Sequence, residues 1–462
     1  MDTYLPPIFV ESLSGLKGFD KDAFEKIHLS GEQVTSIRLN PFKTKSISEA
    51  KSVAENIEGS IPWTSDGYYL SQRPSFTLDP SFHCGAYYVQ EASSMFLEQA
   101  LQQCVDLSNP IKVLDLCAAP GGKSTLIQSL ISNKSLLVSN EVIKARVNIL
   151  AENITKWGVA NVIVTNNDPK DFERLPNYFD VIVVDAPCSG SGLFRKDAAA
   201  IEEWSLQNVH ICSQRQQRIL ADILPSLKEG GALIYSTCSY SESEDETIAD
   251  WIVNEIGLGS ARIKILPEWN IVETQSPKHG AYGYRFYPDK VKGEGFFIAV
   301  FTKGEKTVQE WQTTKYKIKS ERLSAKEIEI VKPYLKNSQD FIFINQQEEV
   351  IAMPSYLENE LANIQFSLYI KKAGVKMGTI IRNELIPDHE LALSIIINNE
   401  VPAIVVGMDI ALQYLRRQEI KLTTDLKGWV LLTYQYLPLG WIKILPNRIN
   451  NYYPRDWRIF NK

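Results

Sequence analysis

At 462 residues, 44% hydrophobic and 23% charged, the chain is long enough for two to four domains with sizeable cores, because domains usually run to roughly 100–200 residues. No apolar run approaches the roughly 18–20 residues a membrane span needs, and Met1-Asp-Thr-Tyr-Leu-Pro-Pro7 lacks the basic and apolar regions of a signal peptide, so a cytoplasmic protein without a membrane partner is expected. A net charge of −6 argues on average against nucleic acid, and six cysteines (84, 104, 117, 188, 212, 238) without CxxC pairing argue against a disulfide framework or a metal site.

Residues 1–80 combine an amphipathic helical start with a short strand at Thr35–Asn40 and predict a small α+β domain. Within 81–303, strand-length apolar runs recur at 113–116, 136–138, 162–165, 181–184 and 232–235, separated mostly by helix-length segments such as 143–157 and 208–227. This alternation predicts a mainly parallel, doubly wound α/β sheet. Strands around 261–265 and 295–301 would finish it near Lys303. Composition then turns polar and basic, with Lys315, Lys317 and Lys319 alternating, which marks 304–319 as a linker. Residues 320–400 predict a mixed α/β domain, and 401–462 short strands with Gly and Pro turns.

The average charge conceals an asymmetry. From Ala411 to Lys462 nine Lys/Arg stand against three Asp/Glu, interleaved with Trp429, Tyr434, Tyr436, Trp441, Tyr452, Tyr453, Trp457 and Phe460. Basic side chains can neutralise phosphates and aromatic faces can stack unpaired bases, although any single Trp is more often a core residue.

Three segments carry chemistry. Asp115-Leu-Cys117-Ala118-Ala119-Pro120-Gly121-Gly122-Lys123-Ser124 follows an apolar strand and opens a helix, so that its backbone can approach a ligand and the helix N-terminus can receive an anionic group. Acids end the next strands: Glu141 is placed for a ribose diol and Asp168 for an adenine amino edge, as in nucleoside-binding folds. Gly122-Lys-Ser124 with Asp185 also imitates a phosphate loop of an ATPase or GTPase, but Cys117 stands where that pattern requires glycine. Buried cysteine is usually an inert small hydrophobe, the default for Cys84, Cys104 and Cys212. Cys188 and Cys238 differ: each lies just past a strand end in a polar turn facing the same crevice, where a thiolate can act as nucleophile. Cytosine carbon-5 is too electron-poor to attack a methyl sulfonium unaided, and thiolate addition at carbon-6 makes it nucleophilic. Position alone does not choose between the two thiols.

Cys117-Ala-Ala-Pro-Gly-Gly-Lys123, Asp185-Ala-Pro-Cys188-Ser-Gly190 and Ser236-Thr-Cys238-Ser239, in this order, resemble the signature motifs of the Nop/Sun family of RNA cytosine-5 methyltransferases. The resemblance covers residues 30–303 and includes Gly85-Ala-Tyr-Tyr-Val-Gln-Glu-Ala-Ser-Ser94. It resembles in particular the bacterial RsmF type, which modifies small-subunit (16S) ribosomal RNA and carries a C-terminal RNA-binding extension.

The resemblance implies a Rossmann-like S-adenosylmethionine-dependent methyltransferase domain at 81–303, an RNA-contacting N-terminal domain at 1–80 and a PUA-like RNA-binding domain at 401–462. It implies that Cys117, Ala118, Ala119, Pro120, Gly121, Gly122 and Lys123 cradle the methionine part of the cofactor, that Glu141 binds the ribose and Asp168 the adenine, and that Arg146 and Asp185 lie in the cofactor site. It further implies that Asp185 holds the target cytosine at its ring nitrogen, that Cys238 is the nucleophile and that Cys188 assists product release. A monomer acting on ribosomal RNA or the small ribosomal subunit and producing 5-methylcytosine is expected. A non-catalytic ribosome-assembly platform is the contrasting possibility, disfavoured by the presence of both thiols and all the cofactor acids. Asp289, in Arg285-Phe-Tyr-Pro288-Asp289, departs from the histidine common in the family, which puts a peripheral RNA contact in doubt. The serine-rich acidic run Ser239–Glu246 is expected to be a capped helix N-terminus, a purely structural feature.

Overall fold

The structure is a computed structural model that describes residues 5–304 and 316–460. Most of the expected linker 304–319 lies outside the described residues.

Strands β1 (Thr35–Leu39), β2 (Ile57–Ser60), β3 (Gly67–Leu70) and β4 (Tyr87–Val89) form an antiparallel sheet in the order β2-β3-β1-β4. The central segment supplies β5 (Lys112–Asp115), β6 (Leu136–Asn140), β7 (Val162–Thr165), β8 (Phe179–Asp185), β9 (Leu227–Thr237), β10 (Gly259–Ala261), β11 (Val272–Gln275), β12 (Tyr282–Phe286) and β13 (Phe296–Thr302). Beyond it follow β14 (Glu321–Arg322), β15 (Phe341–Gln346), β16 (Glu349–Pro354), β17 (Ile370–Ala373), β18 (Val375–Ile381) and β19 (Glu384–Pro387). The tail holds β20 (Ala403–Val406), β21 (Gly428–Tyr434), β22 (Leu437–Leu445) and β23 (Arg448–Asn451). The large sheet runs β11-β12-β13-β9-β8-β5-β6-β7-β17, with β10 paired to β13. Strands β9, β8, β5, β6 and β7 pair in parallel, the arrangement that alternating strands and helices impose.

Both faces of this sheet are covered. Leu114, Val138, Ile163, Ile182, Val184 and Leu233 pack to one side with Leu220 and Ile223 of the helix Leu206–Ile223. Their strand neighbours Val113, Leu137, Val162, Val181, Val183 and Ile234 pack to the other, against Leu126, Ile127, Val147 and Leu150 of the helices Gly122–Leu130 and Lys144–Trp157. Alternate residues point to opposite faces, so continuous Val/Ile/Leu runs are what a doubly covered sheet requires.

Two expectations change. The strand expected at 261–265 is confined to Gly259–Ala261, because the Tyr284 hydroxyl occupies both backbone groups of Ile263 (2.5 and 2.9 Å) in place of a strand neighbour. Nor does the sheet finish at Lys303: β17 extends it by pairing antiparallel with β7. There the Asn167 side chain donates to Tyr369 O and accepts from Tyr369 N, both at 2.9 Å.

N-terminal, central and tail segments meet around a buried basic cluster. Lys43 Nζ donates to Cys84 O (2.8 Å) and Lys156 O (2.6 Å), and Tyr453 Oη lies 3.2 Å from His83 Nδ1. Burial lowers His83 to about 4 and His389 to about 3, with Lys156 adding to both, and neither ring nitrogen of His389 has a partner among the described residues. In the unfolded chain these rings titrate near 6.5. Stability is therefore complete above that value and falls as the pH drops towards the folded values, since only the unfolded chain takes up the protons. The wild type should lose roughly 2 kcal/mol relative to His389→Phe between pH 7 and pH 5, measured by urea unfolding at the two pH values.

Candidate active site

The site lies at the carboxyl ends of β5, β6, β7, β8 and β9, where an open α/β sheet leaves its crevice. After β5 the chain turns at Gly121, whose φ of 116° suits glycine, and enters the helix Gly122–Leu130. The turn is anchored from several sides: Ala118 N donates to Asn140 O (2.8 Å), Arg146 to Ala119 O (2.7 Å) and Asn153 to Pro120 O (2.8 Å). Arg38 of β1, fully buried, donates to Thr125 Oγ1 (2.6 Å) and Gly122 O (3.3 Å) with its guanidinium 4.6 Å from the Trp157 ring. Sequence reading missed Arg38; its signal was a cation inside the apolar strand Thr35-Ser-Ile-Arg-Leu39.

Below the turn, Asp115 accepts from Ser124 Oγ (2.6 Å), while its other oxygen is buried without a partner among the described residues. Burial lifts its pKa to about 7. Burial also pushes the Cys117 thiol up, helped by the charges of Asp115, Asp185 and Glu141, so Cys117 stays protonated and inert. Glu141, buried at the end of β6, accepts from Ile143 N (2.9 Å) and lies 3.5 Å from Arg146. Asp168 follows β7, is exposed, and accepts from Lys170 N at 3.1 Å.

Across the crevice, Asp185 ends β8. Lys123 Nζ lies 2.8 Å from its carboxylate and Ser236 Oγ donates to it at 2.9 Å. Burial pulls the Lys123 ammonium down, but Asp185, Asp115 and the neighbouring Cys238 sulfur together leave it above the usual lysine value. Cys188 and Cys238 stand side by side, Sγ to Sγ 3.1 Å, each partly accessible. The Cys188 thiol is raised well above the ordinary value, first by its hydrogen bond to Cys238, then by burial and by the Cys238 and Glu244 charges. The structure thus brings Lys123, Asp185, Cys188 and Cys238 into one cluster.

The acidic run after Cys238 is not a helix cap, contrary to expectation. The helix there is Glu246–Trp251, with no side-chain cap. Glu244 turns inward beneath the thiols, Asp245 accepts from Thr237 Oγ1 (2.6 Å) and pairs with Arg285 (3.2 Å), and Glu246 pairs with the same buried guanidinium. A buried carboxylate must find donors, and the serines and Arg285 supply them. Asp289 also faces inward, 4% exposed and 3.2 Å from Lys290. Among the described residues no group of three or more His, Cys, Asp or Glu is arranged to hold a metal ion.

A family model described as 16S rRNA methyltransferase RsmB/F matches residues 102–302; models for the N-terminal domain of 16S rRNA methyltransferase RsmF and for the methyltransferase RsmF PUA domain match 5–92 and 404–459. Ribosomal RNA small subunit methyltransferase F of Shewanella piezotolerans is 30% identical over 410 residues, covering 86% of this chain and 84% of that protein. The chain belongs to this family. Its namesake from Erwinia tasmaniensis is 28% identical over 98% of this chain and 96% of that protein. Among solved structures, a methyltransferase homologue from Pyrococcus horikoshii covers 65% of this chain and all of its own length at 28% identity and a TM-score of 0.52. NSun6 from the same organism matches 65% of this chain and 99% of its own at 22% identity and a TM-score of 0.53, which speaks for the fold alone. The large sheet is therefore the Rossmann-like sheet of an S-adenosylmethionine-dependent methyltransferase, joined to an RsmF N-terminal domain and a PUA domain. No helix among the described residues is long and apolar enough to cross a membrane.

Proposed function

We propose that this enzyme methylates carbon-5 of cytosine in small-subunit ribosomal RNA through a covalent bond between Cys238 and carbon-6. The observation that carries this is the cluster of two adjacent thiols, a carboxylate and a lysine at the sheet's carboxyl edge. Lys123 supports a thiolate at Cys238, while the raised Cys188 keeps its proton and donates it to that sulfur. Cys238 adds to carbon-6 of a flipped cytosine while the Asp185 carboxylate holds the ring nitrogen and favours its protonated form, which leaves carbon-5 nucleophilic. After carbon-5 is methylated, its proton leaves to a base and the Cys238–carbon-6 bond breaks, with Cys188 assisting this release.

The residues present fit S-adenosylmethionine. Gly121 opens a helix N-terminus, one Asp115 oxygen is buried without a partner among the described residues, and the acid Glu141 closes the next strand. When bound, the cofactor supplies an electrophilic methyl group. Cys117 through Lys123 would hold its methionine part, Glu141 its ribose and Asp168 its adenine, with Arg146 fixing Glu141. Glu141→Gln should weaken S-adenosylmethionine binding about tenfold in calorimetric titration, the scale of one hydrogen bond to a charged group, and leave unfolding unchanged.

The tail supports RNA as partner. Trp429, Trp441, Tyr434 and Tyr453 are buried core, whereas Tyr436 is 84% and Phe460 75% exposed. Arg458 lies over the Phe460 ring at 4.4 Å, and an open groove of about 680 Å³ is lined by Arg417, Arg448 and Tyr452. Tyr436 takes a left-handed conformation (φ 66°) at a hairpin tip, which turns its ring into solvent, where it can stack on a base. Tritium transfer from labelled S-adenosylmethionine to small-subunit RNA, followed by bisulfite sequencing, tests the activity. Label in 5-methylcytosine supports it, and label on another base or none refutes it.

A further inference from the structure

Glu244 is fully buried beneath the two thiol loops. Its Oε1 accepts from Ser189 N (2.8 Å) and Gln216 Nε2 (3.4 Å), and its Oε2 from Ser189 Oγ and Ser239 Oγ, both at 2.6 Å. Ser189 follows Cys188 and Ser239 follows Cys238, so one carboxylate grips the residue after each thiol. Burial raises its pKa against these four bonds, and none of the four requires a carboxyl proton. We propose that Glu244 is a positioning residue for both thiols: its carboxylate ties the two loops together, and its charge holds Cys188 as a thiol, leaving Cys238 as the sulfur free to ionise. This rests on Cys238 being the nucleophile.

Tyr235 and Cys212, which feel the Glu244 charge, are both pushed up by burial, and Asp245 beside it pairs with Arg285; of the charges that raise Cys188, Glu244 is the one other than Cys238. A like charge nearby disfavours the thiolate, and removing it favours one.

The test is iodoacetamide alkylation of Cys188, mapped by peptide mass spectrometry in a Cys238→Ala background, without RNA or cofactor. Adding Glu244→Gln should raise the alkylation rate at pH 8 about tenfold; a rate within twofold overturns the charge role. Should that variant fail to fold, Cys238→Ala alone decides: half-maximal alkylation should require a pH above the roughly 8.5 of an ordinary thiol, and a midpoint at or below it overturns the proposal. The double variant Ser189→Ala/Ser239→Ala, which frees both loops and keeps the charge, should lower kcat about tenfold with KM for S-adenosylmethionine unchanged; a kcat within twofold of wild type overturns the tie. Unchanged alkylation beside normal cytosine methylation rejects Glu244 alone, whereas loss of cytosine methylation in the wild type rejects the underlying function.

Discussion

Cys238→Ala should lower methyl transfer to small-subunit RNA at least about a thousandfold, the scale on which removing a covalent nucleophile acts. Nothing else in the cluster can replace it. The Cys117 thiol is kept protonated by burial, and Cys188, even without its bond to Cys238, is still raised by burial and by the Glu244 charge. Cys188→Ala should behave differently: addition still occurs, release fails, and a protein–RNA adduct stable to denaturing electrophoresis accumulates, while Cys238→Ala forms none. The reverse pattern would exchange the two roles. Unfolding of both variants should match wild type, because each side chain is partly accessible and loses little buried surface.

The second large effect is expected at Asp185. Asp185→Asn keeps the shape and the contact with Ser236 but removes the charge that pairs with Lys123. An asparagine carries no charge to favour protonation of the cytosine ring nitrogen, and acid–base catalysis by a positioned side chain contributes roughly a hundredfold to ten-thousandfold. The expected loss in kcat is therefore about a hundredfold or more in single-turnover measurements, with S-adenosylmethionine affinity changed no more than about threefold. The freed Lys123 also loses the partner that raises it most, so its ammonium should titrate at lower pH than in wild type. If affinity falls as much as kcat, Asp185 serves the cofactor and not the base.

Much of this was legible in the residues, for identifiable reasons. The runs at 113–116, 162–165 and 181–184 became strands because a sheet covered on both faces needs unbroken apolar segments, and that need overrides other local preference. Two thiols just past neighbouring strand ends fall together because β8 and β9 pair in parallel, Asp185 against Ser236. Other features depend on contacts distant in sequence. The alternation over 261–265 reads as a strand until the Tyr284 hydroxyl takes its backbone groups. β17 is a short strand about two hundred residues from its partner, and its pairing is visible only once Tyr369 meets Asn167. Ser239–Glu246 reads as a cap because Ser and acidic residues favour helix starts; Arg285, some forty residues on, draws Asp245 and Glu246 inward instead. The tail's aromatic residues divide into core and surface only by their places on β21 and β22.

The most direct measurement uses small-subunit RNA carrying 5-fluorocytosine, whose carbon-5 fluorine cannot leave as a proton, so that an adduct formed with S-adenosylmethionine present is trapped. Proteolysis and mass spectrometry then identify the attached residue. The mechanism predicts methylated fluorocytosine on Cys238 and on no other cysteine. Attachment to Cys188, or methylated RNA with no protein attached at any point of the time course, would contradict it.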